Sequence, residues 1–161
     1  MKTTRTVSQL LENKDRKDVL TTAPAETVFD ALRTMAIYDV GALIVTADNR
    51  IVGIFSERDY ARKLVLQNRS SRDTTVGEVM EKIVPTVIPD TSIEACLTLM
   101  TEHDLRHLPV VSSGWLVGII SRGDVLRDQL NEQEFMLEQM NNYVCGAYAG
   151  AEVSTWALFR P

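Results

Sequence analysis
The sequence predicts an α/β (α+β) fold in which one strand-helix-strand-strand-helix unit is built twice. Three observations carry that prediction. First, Gly53-Ile54-Phe55-Ser56-Glu57-Arg58-Asp59 returns 65 positions later as Gly118-Ile119-Ile120-Ser121-Arg122-Gly123-Asp124, and the register holds without a gap from Pro24/Pro89 to Val65/Leu130. Such a repeat marks one supersecondary unit used more than once. Second, Val28, Ala31, Leu32 and Met35 match Ile93, Cys96, Leu97 and Met100, each set spaced i, i+3, i+4, i+7 as on one buried helical face. Third, each half carries two short apolar runs bounded by turn signals, the pattern of strands covered on both faces.

The elements follow in order. Each unit opens with a leader, Thr6 to Lys14 against Thr75 to Lys82. A brief extended piece comes next, Val19-Leu20-Thr21-Thr22 or Ile83-Val84-Pro85-Thr86-Val87-Ile88, and then a proline, Pro24 or Pro89. The first helix is expected just after that proline. Two strands follow: Ala42 to Val45 with Ile51 to Phe55, and Leu108 to Val111 with Trp115 to Ile120. Ala47-Asp48-Asn49-Arg50 and Ser112-Ser113-Gly114 supply the turns. A second helix starts at Ser56 and at Ser121. The first repeat is placed at 6–65, a polar linker at 66–74 and the second repeat at 75–130. A further amphipathic helix and a tail occupy 131–161, docked on the module or on a partner subunit.

Length and charge set limits. The 161 residues suit one compact domain or two tightly joined small ones. Each repeat alone is near the lower size limit for a self-sufficient core, so the halves are expected to share one. A formal net charge of -5 gives no global attraction for nucleic acid or an anionic membrane. The basic residues Arg58, Arg62, Lys63, Arg69 and Arg72 read as a solvated helix face and linker. No apolar run approaches a membrane span, and the polar start lacks the features of a secretory signal. The cytoplasm is therefore the expected address. Cys96 stands where the other repeat has Ala31, so it reads as a small buried hydrophobe. His103 and His107 lack the neighbours of a metal site, and nothing supports nucleophilic or dinucleotide-fingerprint chemistry.

The chemistry concentrates in Ser-x-x-Asp. Its plain reading is a capping box, Ser56 or Ser121 bonding the N3 amide and Asp59 or Asp124 reaching back. Its sharper reading is a ligand site. The motif occurs twice in register, and each copy follows a glycine inside a strand (Gly53, Gly118), which often marks close approach by a ligand or another backbone. A helix N-terminus accepts anions, and a carboxylate can accept from two vicinal hydroxyls. A ribose phosphate suits both.

With these residues, Ala42-Leu43-Ile44-Val45 and Arg106-His107-Leu108-Pro109-Val110-Val111 included, the chain resembles a tandem pair of CBS (cystathionine β-synthase) domains, a Bateman module, over roughly 6–130. The resemblance implies repeats paired about a pseudo-twofold axis, with two clefts between them in which adenine nucleotides bind. One cleft would take Ser121 and Asp124 with Arg106 and His107, packing adenine against Val40 and Gly41. The other would take Ser56 and Asp59, packing adenine against Leu105 and Arg106. Backbone groups near Val19 and Thr21, or Val84 and Thr86, would meet the base, and Arg58, Arg122 and His107 would supply charge for phosphate. Gly41-Ala42 opposite Arg106-His107, Glu57-Arg58 opposite Arg122-Gly123 and Ile44 opposite Pro109 make the clefts unequal. AMP is the first expected ligand, with ADP, ATP, NAD(H) or S-adenosylmethionine behind it. The expected protein is a regulatory homodimer acting on an effector protein, not an enzyme. The alternative is a ligand-free dimerisation module.

Overall fold
The computed structural model describes residues 5–14 and 18–151, with side chains described through Val144. The sequence features at Met1 to Thr4 and in the aromatic tail beyond Ala151 lie outside the described residues. So does the Cys145 side chain.

Helix α1 (Val7–Glu12) is capped by Thr6, with Gln9 closing the capping box. Strand β1 is only Thr21–Thr22 and runs parallel to β2 (Ala42–Ala47), pairing with Ile44 and Val45. Between them, α2 (Val28–Tyr38) buries Val28, Ala31 and Met35. β2 turns into antiparallel β3 (Arg50–Ser56) through Asp48 and Asn49, both at positive φ, as a two-residue hairpin of this twist requires. Helix α3 (Glu57–Lys63) follows Ser56 directly. The second repeat has the short α4 (Val76–Val79), α5 (Ile93–Glu102), the antiparallel pair β4 (His107–Ser112) and β5 (Trp115–Ser121), and α6 (Arg122–Ala151).

The stripe helices begin later than the prolines imply. Thr27 and Ser92 are the caps, accepting from the amides of Asp30 and Ala95. Pro24 and Pro89 instead open turns, closed by Glu26 N to Ala23 O at 3.1 Å and Thr91 N to Ile88 O at 3.0 Å. A hydroxyl that satisfies an orphan amide fixes the start more firmly than a fixed φ upstream. The extended piece at 83–88 is likewise reduced to one parallel bridge, Val87 to Val110, since Pro85 has no amide to donate. The 66–74 segment is not a loose tether. Val28 and Phe29 amides bond Thr74 and Ser71 carbonyls at 2.9 Å, and the Arg72 guanidinium lies 4.0 Å over the Phe29 ring. Past Leu130, α6 runs on without a break.

Two apolar clusters form rather than one shared core, and the leaders are exchanged between them. Val7 and Leu10 of α1 pack with Ile93, Cys96, Met100, Leu108, Val110, Ile120 and Val125 of the second repeat. Val76 and Val79 of α4 pack with Val28, Ala31, Met35, Leu43, Val45, Phe55 and Leu64 of the first. Backbone bridges pin each exchange: Thr6 to Ser92, and Thr27 to Thr75. Strands β3 and β5 also lie against each other. Ile44, on the face of β2 opposite Leu43 and Val45, is fully buried, so that strand is covered on both sides. Residues up to Val125 form one compact unit. The remainder, Leu126 onward, is a second unit: within the described residues it is the body of α6, exposing Leu126, Leu130, Phe135, Leu137, Met140 and Tyr143.

Candidate functional site
Both Ser-x-x-Asp motifs form the capping box that their spacing allows. Ser56 N donates to Asp59 Oδ2 at 3.0 Å, its hydroxyl does so at 2.6 Å, and Asp59 N returns a bond to Ser56 Oγ at 3.3 Å. In the second repeat Ser121 N donates to Asp124 Oδ2 at 2.8 Å and Asp124 N to Ser121 Oγ at 3.1 Å. A local tie holds each helix start against the loop before its strand. Glu57 N bonds Gly41 O at 3.1 Å, and Arg122 N bonds Arg106 O at 2.9 Å. Ser56 therefore stands across from Ala42, and Ser121 across from His107.

The two carboxylates are not equally free. Asp59 uses its second oxygen as well, for Lys63 Nζ at 2.9 Å. Asp124 receives Lys14 Nζ at 2.9 Å on Oδ2, the same oxygen that Ser121 uses. The Lys14 and Ser121 amide bonds thus share one oxygen of Asp124. Burial alone would raise the Asp124 carboxyl, but Lys14 and the Ser121 amide and hydroxyl outweigh it and hold it below the usual carboxylate range. It is a carboxylate at neutral pH.

The cations expected at phosphate have other partners. Arg58 crosses to the second repeat, where its Nη2 pairs with the Asp104 carboxylate and its Nη1 bonds Asp104 O at 3.2 Å. This brings the start of α3 to the loop that carries Leu105 and Arg106. Arg122 stays at home, its Nη2 bonding Met100 O and Leu105 O at 2.8 Å and so closing the end of α5. Its Nε is buried and has no partner among the described residues. His107, half-buried at the head of β4, cannot carry charge at neutral pH. Desolvation pushes it down to about 4, against the pull of Asp124 and Asp59 and with the push of Lys14 and Arg106. Arg69 pairs with Glu78 and Lys63 with Asp59, so the basic cluster is dispersed into separate contacts.

Val40 N bonds Met35 O inside the first repeat, as Leu105 N bonds Met100 O inside the second. Thr21 and Thr86 are exposed, Val19 and Val84 half-buried, and Pro109 buried with Val87 N donating to its carbonyl at 3.0 Å. The glycines point to chain packing rather than to a ligand. A Cβ on Gly53 would lie 2.8 Å from Glu81 O, and one on Gly118 would lie 2.7 Å from a Leu11 methyl. Each leader needs that space. Lys14 and Lys63 are the residues that the sequence reading missed. The repeat hides them, since Lys63 stands opposite Asp128 and Lys14, in the leader alignment, opposite Ile83.

The CBS domain family profile matches residues 7–66 and again residues 76–131. The chain belongs to the CBS domain family. A mitochondrial CBS domain-containing protein of Arabidopsis thaliana, CBSX3, is 36% identical over 89% of this chain and 73% of its own length. The structure of a protein with CBS domains from Burkholderia ambifaria is 44% identical and superposes with a TM-score of 0.77, over 80% of this chain and 96% of that one. The CBS domain pair of protein MJ0100, in complex with 5′-methylthioadenosine and S-adenosyl-L-methionine, is alike in fold. It has a TM-score of 0.71 at 21% identity, over 80% of this chain and 98% of that one. The chain is thus a tandem CBS module, a regulatory type of domain pair. Among the described residues no helix is long and apolar enough to cross a membrane.

Proposed function
We propose that this CBS pair is a regulatory module that binds an adenine nucleotide, AMP first, between its repeats and performs no chemistry itself. The observation that carries the reading is Asp124, an ionised carboxylate at the start of α6 whose bonds to Lys14 and the Ser121 amide share one oxygen. Vicinal ribose hydroxyls donate to such a group. Ser121 and the amides at the start of α6 suit a phosphate. Val40, Gly41, Arg106 and His107 supply the walls for adenine. Asp59, with both oxygens bonded, makes the Ser56 cleft the weaker of the two. There Leu105 faces the base, and Arg58 reaches phosphate only by leaving Asp104. Val19, Thr21, Val84, Thr86, Pro109 and Arg122 complete the shells. ADP, ATP, NAD(H) and S-adenosylmethionine are the competing ligands, and the fold of MJ0100 accommodates adenosyl compounds.

A nucleotide touching both repeats biases their mutual orientation only by its differential affinity for the two arrangements. The changed surface is then read by an effector protein or across a homodimer. We keep the cytoplasm as the working address. The second reading is a ligand-free interaction module, favoured by the completeness of both capping boxes and by the leader packing at Gly53 and Gly118.

Thermal shift with a panel of adenine compounds separates the two. A ligand at 100 times its Kd adds about 2.7 kcal/mol of stability. Asp124→Ala is expected to abolish most of the AMP shift at a cost of about 1 kcal/mol for the lost cap, while Asp59→Ala keeps most of it. If no purine shifts the wild type and both variants merely melt lower, the interaction-module reading stands instead.

A further inference from the structure
We propose that Lys14 makes this site selective for anionic ribosides: its ammonium, bonded to Asp124, turns to the ligand's phosphate as ribose hydroxyls take its place. The inference rests on the reading of the Asp124 cleft as a nucleotide site.

The geometry sets up the exchange. Lys14 Nζ lies 2.9 Å from Asp124 Oδ2 and 3.0 Å from Ile119 O, with the two side chains 23% and 13% exposed. Its backbone is anchored by α1, whose Leu11 fills the space over Gly118, and Lys14 N bonds Leu11 O at 3.3 Å. The stem is flexible while its root is fixed, so the ammonium can swing without moving the leader. A ribose that engages both oxygens of Asp124 through its vicinal hydroxyls must displace that ammonium from Oδ2 of a partly buried carboxylate. AMP or a nucleoside diphosphate offers the released cation a phosphate, and a charge-assisted bond replaces the one lost. Adenosine offers nothing in return. S-adenosylmethionine brings a sulfonium cation toward an ammonium, which is repulsive.

The first repeat carries the same device from an unrelated position. Lys63 Nζ bonds Asp59 Oδ1 at 2.9 Å and Val79 O at 2.8 Å. In both halves one lysine ties an exchanged leader to the motif carboxylate. The two lysines do not align in the repeat, yet both end on the aspartate.

Calorimetry of wild type, Lys14→Gln, Lys14→Met and Lys14→Arg with AMP, adenosine and S-adenosylmethionine tests the assignment. Lys14→Gln keeps a neutral donor in place of the ammonium and Lys14→Met removes the donor, and circular dichroism checks the fold of each variant. Wild type is expected to prefer AMP to adenosine by about tenfold or more, the loss of one charge-assisted contact being worth that factor. Lys14→Gln and Lys14→Met are expected to weaken AMP, tighten adenosine and bring the ratio near one, and Lys14→Arg to keep the preference. If Lys14→Gln binds AMP and adenosine in the wild-type ratio, or wild type binds S-adenosylmethionine more tightly than AMP, the role of Lys14 falls while the nucleotide site stands. If wild type binds none of the three, the nucleotide reading falls and takes this one with it.

Discussion
His107 lies across from Ser121 at the head of β4, where the charges of Asp124, Asp59, Lys14 and Arg106 act on it. Its imidazole is depressed from 6.5 to about 4 by burial first, with Lys14 and Arg106 adding to the effect. Between those two values the unfolded chain binds a proton that the folded chain refuses, so stability falls as pH drops from 6.5 toward 4. The loss is on the order of 2 kcal/mol for a residue that keeps some solvent access. Asp124, whose folded carboxyl is lowered, adds a further loss below the ordinary carboxylate range. Chemical denaturation of His107→Gln across this window is expected to give a flatter profile than wild type above pH 4.5 or so. A profile unchanged by the substitution would mean that His107 titrates normally. The resemblance put His107 with Ser121 and Asp124, and strand pairing sets it across from Ser121. It could not show that the site's desolvation removes the charge, because burial depends on elements far along the chain.

At the scale of elements the leaders carry the most information. Residues 6–14 and 75–82 look alike, and a linear reading assigns each to the repeat that follows it. The packing crosses them, because Val7 and Leu10 complete the second cluster and Val76 and Val79 the first. The strand glycines are the mark of this docking. At Gly53 a Cβ meets the carbonyl of Glu81, which accepts from Ile54 N at 3.0 Å while Glu81 N donates to Ile54 O at 2.8 Å. At Gly118 it meets the end of the Leu11 side chain, which can rotate away. Gly53→Ala is therefore expected to destabilise by about 2 kcal/mol, with Gly118→Ala under half of that. Urea midpoints of the two variants check the order, and equal costs would speak against rigid docking of α4. The glycines were legible as sites of close approach, but which neighbour approached was not.

In the whole molecule, crossed leaders make each repeat depend on chain supplied from the other half. Arg58 adds a tie from α3 to Asp104, and β3 lies against β5. Neither cluster can lose its leader without exposing buried valines, so the unit up to Val125 is expected to unfold in one step. Calorimetry should give equal calorimetric and van't Hoff enthalpies for that unit, and two resolved repeat transitions would contradict the exchange. The same coupling gives a ligand between the repeats something to act on. Sequence alone established the doubled unit, the helical stripes, the hairpins and the two motif aspartates. Those follow from periodicity and local bonding, which act over a few residues. The exchange of leaders, the lysine on each aspartate and the inequality of the two carboxylates came from the folded arrangement. They arise because residues more than 100 positions apart, such as Lys14 and Asp124, meet only when the chain closes on itself, and no local pattern encodes a partner at that distance.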